Sequence, residues 1–210
     1  MEPKLPEEHA IRVVLFDLGG VLVELSGVST VISWMANPVV PEELFRIWLT
    51  SPAVRAFETG RIEPDLFADQ LITEMSLQVG REALLKELAG WPTGTFPGAL
   101  ELLARIPRRY TRATLSNTNS MHWPQVMGRM KLADAFDHHF ASHLTGKIKP
   151  DEEAFRHVTV ALNCAADEVL FLDDNQLNID AATKCGMHAV RVKGVPAAQR
   201  ALQEFRVIED

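Results

Sequence analysis

The sequence is poor in several features that mark whole classes of protein. It has two cysteines in 210 residues, Cys164 and Cys185. That is too few for a disulfide framework and points to a reducing, cytoplasmic setting. No apolar run approaches the roughly 18 residues that cross a bilayer, so no membrane partner is expected. Residues 1–9 carry Glu and Pro but no apolar leader core, so secretion is not expected. Lysine and arginine number 21 against 28 aspartates and glutamates, a net charge of −7, with no long basic block. Such a balance excludes nucleic acid as an expected partner. There is no internal repeat and no low-complexity stretch. What remains is a chain that is 47% hydrophobic and 23% charged, an ordinary globular composition. It is long enough to bury a core unaided.

Apolar periodicity organises that chain. Residues 12–16, Arg-Val-Val-Leu-Phe, are a short β-branched run closed by Asp17 and two glycines, which reads as a buried strand. Residues 110–115 run into Ser116-Asn117-Thr118-Asn119, a loop signal. Residues 169–172 end at Asp173, and residues 188–192 and 138–141 complete a set of five strands. Pro97 opens a helix with Ala99, Leu102, Leu103 and Ile106 on one face. Pro150-Asp151 opens a second, with Ala154, Phe155, Val158 and Leu162 inward. Residues 176–185 make a third, stopped by Gly186. The alternation predicts an α/β fold, a Rossmann-like parallel sheet with helices on both faces. Ligands then bind beyond the C-terminal ends of the strands.

Residues 24–95 break this rhythm. They show no convincing strand but four helical stripes: Val28, Val31, Ile32, Met35; Leu44, Phe45, Trp48, Leu49; Leu66, Phe67, Leu71, Met75; and Leu84, Leu85, Leu88. Pro38, Pro41, Pro52 and Pro64 punctuate them. The segment reads as an inserted all-helical cap. The expected division is an α/β core domain (1–23 and 96–210) and a helical cap domain (24–95), the cap placed to act as a lid over the sheet.

Four polar clusters fall at the predicted strand ends or just beyond: Asp17-Leu18-Gly19-Gly20, Ser116-Asn117-Thr118-Asn119, Lys147-Ile148-Lys149-Pro150-Asp151 and Asp173-Asp174-Asn175. Each residue type answers a need of phosphoryl transfer. A carboxylate ending a buried strand is a nucleophile with little freedom. Glycines after it let backbone N–H groups approach an anion. A hydroxyl and a lysine bind and screen phosphoryl oxygens. Two further carboxylates suit Mg2+, which prefers oxygen ligands. Taken singly, these clusters read as turns and solvated charges. Adjacent Asp173 and Asp174 are harder to explain so, because they repel without a counter-charge.

These segments resemble the haloacid dehalogenase superfamily, over about residues 12–193. The carriers are Phe-Asp-Leu-Gly-Gly-Val-Leu at 16–22, Leu-Ser-Asn-Thr-Asn at 115–119, Gly-Lys-Ile-Lys-Pro-Asp at 146–151 and Phe-Leu-Asp-Asp-Asn at 171–175. The stretch from Asn178 to Met187 and the cap segment Phe57-Glu58-Thr59-Gly60 are also similar. Within the superfamily the chain looks most like the sugar-phosphate phosphatases and the phosphatase domain of soluble epoxide hydrolases. The resemblance implies Asp17 as catalytic nucleophile and metal ligand, and Ser116 and the Asn117 amide as phosphate-binding groups. It implies Lys149 as the catalytic and phosphate-screening lysine in preference to Lys147. Asp174 becomes a direct Mg2+ ligand and Asp173 one bound through water.

One position departs from the pattern. The family's phosphatases carry a second Asp two residues after the nucleophile, and here that position is Gly19. Its carbonyl can still bind Mg2+, but the acid/base is lost, a step worth about 10²–10⁴-fold. Good leaving groups are then favoured, or Glu24, Glu58 or His122 takes the role. The resemblance implies a Mg2+-dependent phosphatase, weakened by Gly19, that acts on a small phosphorylated metabolite through an aspartyl-phosphate, as a monomer or homodimer. The alternatives are a metal-free 2-haloacid dehalogenase-type hydrolase and a non-catalytic phosphate-binding or regulatory protein.

Other residues read as structural. His138, His139 and His143 lack the spacing of a zinc site. Trp34, Trp48, Trp91 and Trp123 read as packing residues, with Trp123, just after the second cluster, the one placed to border a substrate pocket. Arg105, Arg108, Arg109 and Arg112 read as a solvated face.

Overall fold

The computed structural model describes residues 10–209. The leader-free reading of residues 1–9 therefore lies outside the described residues. No helix among the described residues is long and apolar enough to cross a membrane. The chain opens with β1 (Val13–Phe16) and β2 (Val23–Leu25). Five helices follow: α1 (Val28–Trp34), α2 (Pro41–Thr50), α3 (Pro52–Glu58), α4 (Pro64–Met75) and α5 (Arg81–Ala89). Then come β3 (Pro92–Thr95), α6 (Ala99–Arg105), β4 (Thr111–Ser116), β5 (His138–Ala141), α7 (Ser142–Thr145) and α8 (Glu152–Leu162). The chain closes with β6 (Val169–Asp173), α9 (Gln176–Lys184), β7 (His188–Arg191) and α10 (Gly194–Glu204).

Strands β1, β4, β5, β6 and β7 form one parallel sheet in the order β5-β4-β1-β6-β7. All five expected strands are present. From β1 the chain returns first on one side, at β4, and later on the other, at β6. A crevice opens at such a switch, beyond the C-terminal strand ends. Alternation along β1 explains the two-faced burial. Val14 and Phe16 join Leu102, Leu103, Ala198 and Leu202 on one face. Val13 and Leu15 join Phe155, Val158, Ile179 and Ala182 on the other.

Between β2 and β3 the helices build an apolar core of their own around Phe57, Phe67, Leu71, Leu84 and Leu88. Phe57 and Phe67 stack there with ring centroids 4.2 Å apart.

Two expectations need correction. The stretch expected to hold no strand holds β3 and most of β2, which pair as an antiparallel ribbon at the two ends of the helical segment. The expected boundary after residue 23 falls inside β2. Three residues are too few to show an alternation, and Pro92 and Gly94 remove the β-propensity of β3. The patterning also assigns no element to 194–204. There α10 buries Val195, Ala198, Ala201 and Leu202, an alanine-rich stripe that opens on Gly194 with Pro196 close behind.

Candidate active site

The four polar clusters meet at the crevice. Lys149 is 2% exposed. Its Nζ donates to Asp17 Oδ1 and to Asp173 Oδ2, both at 2.7 Å. Lys147, the less favoured lysine, lies instead at the surface against Glu153. Oxygens of Asp17, Asp173 and Asp174 lie within 4.8 Å of one another. Asp173 is fully buried and both its oxygens are engaged. Oδ1 accepts from Asn175 N at 2.8 Å, and Asn178 Nδ2 donates to Oδ1 and Oδ2 at 3.1 and 3.0 Å.

Backbone conformation lets these groups approach. Gly20 adopts φ +71°, and a Cβ there would fall on the Asp174 carboxylate. Only glycine allows that carboxylate to sit against the turn after β1. A Cβ at Gly19 would lie 2.8 Å from Leu25 Cδ1. Hydrocarbon therefore occupies the side where the family pattern has its acid/base.

Ser116 ends β4 and is buried. The side chain of Asn117 clamps the lysine loop: Nδ2 donates to Lys149 O and Oδ1 accepts from Lys149 N, both at 2.9 Å. Ser142 Oγ accepts from Thr118 N at 2.9 Å and donates to Thr118 O at 3.0 Å. Asn119 Oδ1 accepts from the amides of Met121 and His122. The loop after β4 is thus fixed on both flanks.

Electrostatics follow from three carboxylates and one ammonium out of water. Burial pushes the Asp17 carboxyl up to about 7, with Lys149 pulling it down and Asp173 and Asp174 pushing it further up. Asp174 is likewise raised, by burial and then by Asp173. Burial alone would lower Lys149, but Asp17 and Asp173 outweigh it and hold the ammonium above its ordinary value. The cluster carries more negative charge than one lysine neutralises. An all-oxygen, acidic donor set of this kind fits a divalent hard cation such as Mg2+.

A cavity of about 180 Å³ opens beside this cluster, between the strand ends and the helices. Gly19, Ser116, Asn117 and Thr118 line one end, and Val28, Leu44, Phe45, Trp48 and Trp91 line the other. Two of the tryptophans read as packing residues therefore wall the cavity, and Trp123 is not among its lining. Trp123 packs edge-on against His139 and His143, centroids 5.9 Å away in both cases.

Of the three groups considered for the missing acid/base, Glu24 is exposed on β2. His122 lines the cavity, but Nε2 lies 2.6 Å from Leu88 O and Nδ1 lies 3.2 Å from Asn119 Nδ2. Burial lowers its pKa. Glu58 ends α3, is buried, lines the cavity and accepts from Trp48 Nε1 at 3.3 Å. Burial pushes its carboxyl up to about 7.

Sequence reasoning did not anticipate the side-chain clamp of Asn117, the Ser142 brace or the hold of Asn178 on Asp173. Asn178 did leave a trace in the sequence, as a polar residue in the first turn after the Asp-Asp strand end. The other two depend on tertiary pairing.

The model of the haloacid dehalogenase-like hydrolase family matches residues 11–186. A sesquiterpene phosphatase of Aspergillus oryzae is 28% identical over 84% of this chain and 87% of its own. An enolase-phosphatase of Pseudomonas syringae is 26% identical over 95% and 97%. A haloacid dehalogenase family enzyme of Bacteroides thetaiotaomicron, solved with magnesium and inorganic phosphate, superposes with a TM-score of 0.69. It is 25% identical and covers 88% of this chain and 95% of that one.

Proposed function

The chain belongs to the haloacid dehalogenase-like hydrolases, and on that footing we propose that it is a Mg2+-dependent phosphatase. Its substrate is a small phosphorylated molecule and Asp17 is its nucleophile. The observation that carries this reading is the buried Lys149 ammonium shared by Asp17 and Asp173, with Asp174 alongside and Ser116 at the neighbouring strand end. Two phosphatases among the relatives support it.

In this proposal Asp17, Asp174 and the Gly19 carbonyl would hold Mg2+, with Asp173 behind them. The ion, when bound, supplies positive charge to the phosphoryl oxygens. Ser116 and the Asn117 amide bind those oxygens, and Lys149 screens the charge between nucleophile and phosphate. A carboxylate oxygen of Asp17 attacks phosphorus. The bond from phosphorus to the alcohol oxygen breaks, and that oxygen keeps the electron pair and takes a proton. Water then attacks phosphorus of the aspartyl-phosphate, which releases inorganic phosphate and returns the carboxylate.

Glu58 is the proton donor in this scheme. It faces the cavity, and a carboxyl with its pKa near 7 is about half protonated at neutral pH, so it can both give and take a proton there. The helical segment 24–95 is the cap that carries it over the site. A metal-free dehalogenase is disfavoured, because three crowded carboxylates repel an anionic substrate that brings no cation.

The test is phosphate release from acetyl, aryl and alkyl phosphates, with Mg2+ and with chelator, in wild type and Asp17→Asn. Mg2+-dependent release that Asp17→Asn abolishes supports the proposal. Release that survives Asp17→Asn, or none from any ester, overturns it.

A further inference from the structure

We propose that the cleft selects phosphate monoesters whose alcohol half is an apolar hydrocarbon group of about benzene's bulk, not a polyol. This rests on the phosphatase reading above and names the substrate class for it. The cavity is continuous from Gly19, Ser116 and Asn117 at the phosphoryl end to a wall of Leu25, Val28, Leu44, Phe45, Trp48 and Trp91. Among the described residues no lysine or arginine lines it. Beyond the phosphoryl end, its ionisable side chains are Glu58 and His122. Each already has a hydrogen-bond partner.

A sugar would bring several hydroxyls to that wall. Glu58, already tied to Trp48, could serve one of them; the others would lose their water without gaining a partner. A hydrocarbon group loses nothing there and gains the burial of its own surface. The floor argues the same way. Leu25 Cδ1 lies 2.8 Å from where a Gly19 side chain would begin, so hydrocarbon covers that side.

Volume sets the size of the group. An apolar cavity of about 150 Å³ accepts benzene. The 180 Å³ here must also hold part of the phosphoryl group at the Gly19 end, so the enclosed hydrocarbon is about six carbons at most. Phe45 stands at the rim with 53% of its surface exposed, so a longer chain passes it into solvent. Each enclosed methylene should raise kcat/KM about fourfold.

Two arms test this, both with the full chain and Mg2+. The first measures kcat/KM for n-alkyl phosphates of two, four, six and eight carbons, with glycerol and hexose phosphates as polar counterparts and acetyl phosphate as the reference. The expected result is a climb of about fourfold per methylene that levels at about six carbons, with the polyol esters well below the alkyl ester of equal size. The second arm measures calorimetric binding of methyl-, butyl- and hexylphosphonate, which cannot be hydrolysed. It should show the same slope, with a heat-capacity change that grows more negative with chain length. Phe45→Ser, at an exposed rim position that should tolerate polarity, should flatten the slope at the longer chains.

A flat slope in both arms, or a preference for polyol esters, overturns the apolar class. If acetyl phosphate is still hydrolysed, the phosphatase reading stands. If no ester is hydrolysed, that reading falls, and the phosphonate arm alone decides whether the cleft selects hydrocarbon.

Discussion

The two ends of the cleft are made of different materials. At the phosphoryl end, charged groups from two strand ends and one loop, and the Asn117 side chain from a third strand end, are locked by short hydrogen bonds around Lys149. At the other end, helix faces and the β2–β3 ribbon contribute leucines, valines and tryptophans, with Glu58 as the ionisable group nearest that wall. The first end works by fixed charge, and its energetics are those of a buried ion cluster. The second works by surface removed from water. Glu58, tied to Trp48, belongs to both.

The contrast is broken most severely by Lys149→Met. The variant leaves Asp17 and Asp173 buried without their ammonium. Loss of one partner from a buried ion pair costs about 3–5 kcal/mol, and urea unfolding should show a drop of that order. Turnover should fall by about 10²–10³-fold or more, as for loss of a preorganised charge. A stability change under ~1 kcal/mol would mean that charge pairing does not hold the phosphoryl end together.

Glu58→Gln tests whether the apolar end contributes chemistry as well as shape. Hydrolysis of hexyl phosphate, whose alcohol leaves poorly, should slow by about 10²–10⁴-fold. Acetyl phosphate, which needs little protonation, should lose far less. Equal losses with both esters would remove Glu58 from the proton path. Gly19→Asp in the Glu58→Gln background sharpens the point. Its new side chain meets Leu25 Cδ1, but Leu25 is half exposed and can turn aside. Partial recovery on the alkyl ester, with none on acetyl phosphate, is the expected result.

The same carboxyl gives a pH signature in stability. Burial raises Glu58 from 4.5 to about 7. The folded protein keeps a proton that the unfolded chain gives up, so this contribution is full below about 4.5 and is lost as pH rises through about 7. It amounts to on the order of 3 kcal/mol. Glutamine does not titrate, so the stability of wild type relative to Glu58→Gln should fall by about that amount between pH 4.5 and 8. A difference independent of pH would place the Glu58 pKa near its ordinary value. With Mg2+ bound, which favours the Asp17 carboxylate, alkyl phosphate turnover should decline over the upper part of the same window, as the donor loses its proton.

The two ends were also unequally legible in the sequence. Asp17, Ser116, Asp173 and Asp174 stand out because polar residues ending apolar strands break a pattern, and parallel strands bring their ends together. The buried strand at Val13–Phe16 was readable for the same reason. Lys149 lies in the loop between α7 and α8, and only the family resemblance singled it out. The apolar end breaks no pattern. Leu44, Trp48 and Trp91 follow the helical spacing of core residues, and nothing local separates an aromatic that packs from one that lines a cavity. The β2–β3 ribbon is too short to show periodicity. The Asn117 clamp on Lys149 joins residues 32 positions apart, a pairing that only the fold creates.

The smallest effect is expected where the two ends are tied together. Arg55, on the helix that carries Glu58, pairs with Asp151 at 2.5 Å, two residues beyond Lys149. Both side chains are a third to a half exposed, so the pair is worth no more than about 0–1 kcal/mol. Arg55→Ala should leave urea unfolding within that range. Gly60, two residues past Glu58, packs so closely on His143 O that a Cβ would strike it, which keeps α3 in place without the ion pair. If the pair also sets where Glu58 points, Arg55→Ala should slow hexyl phosphate several-fold and spare acetyl phosphate. If the backbone contact at Gly60 alone sets it, both esters should turn over as in wild type.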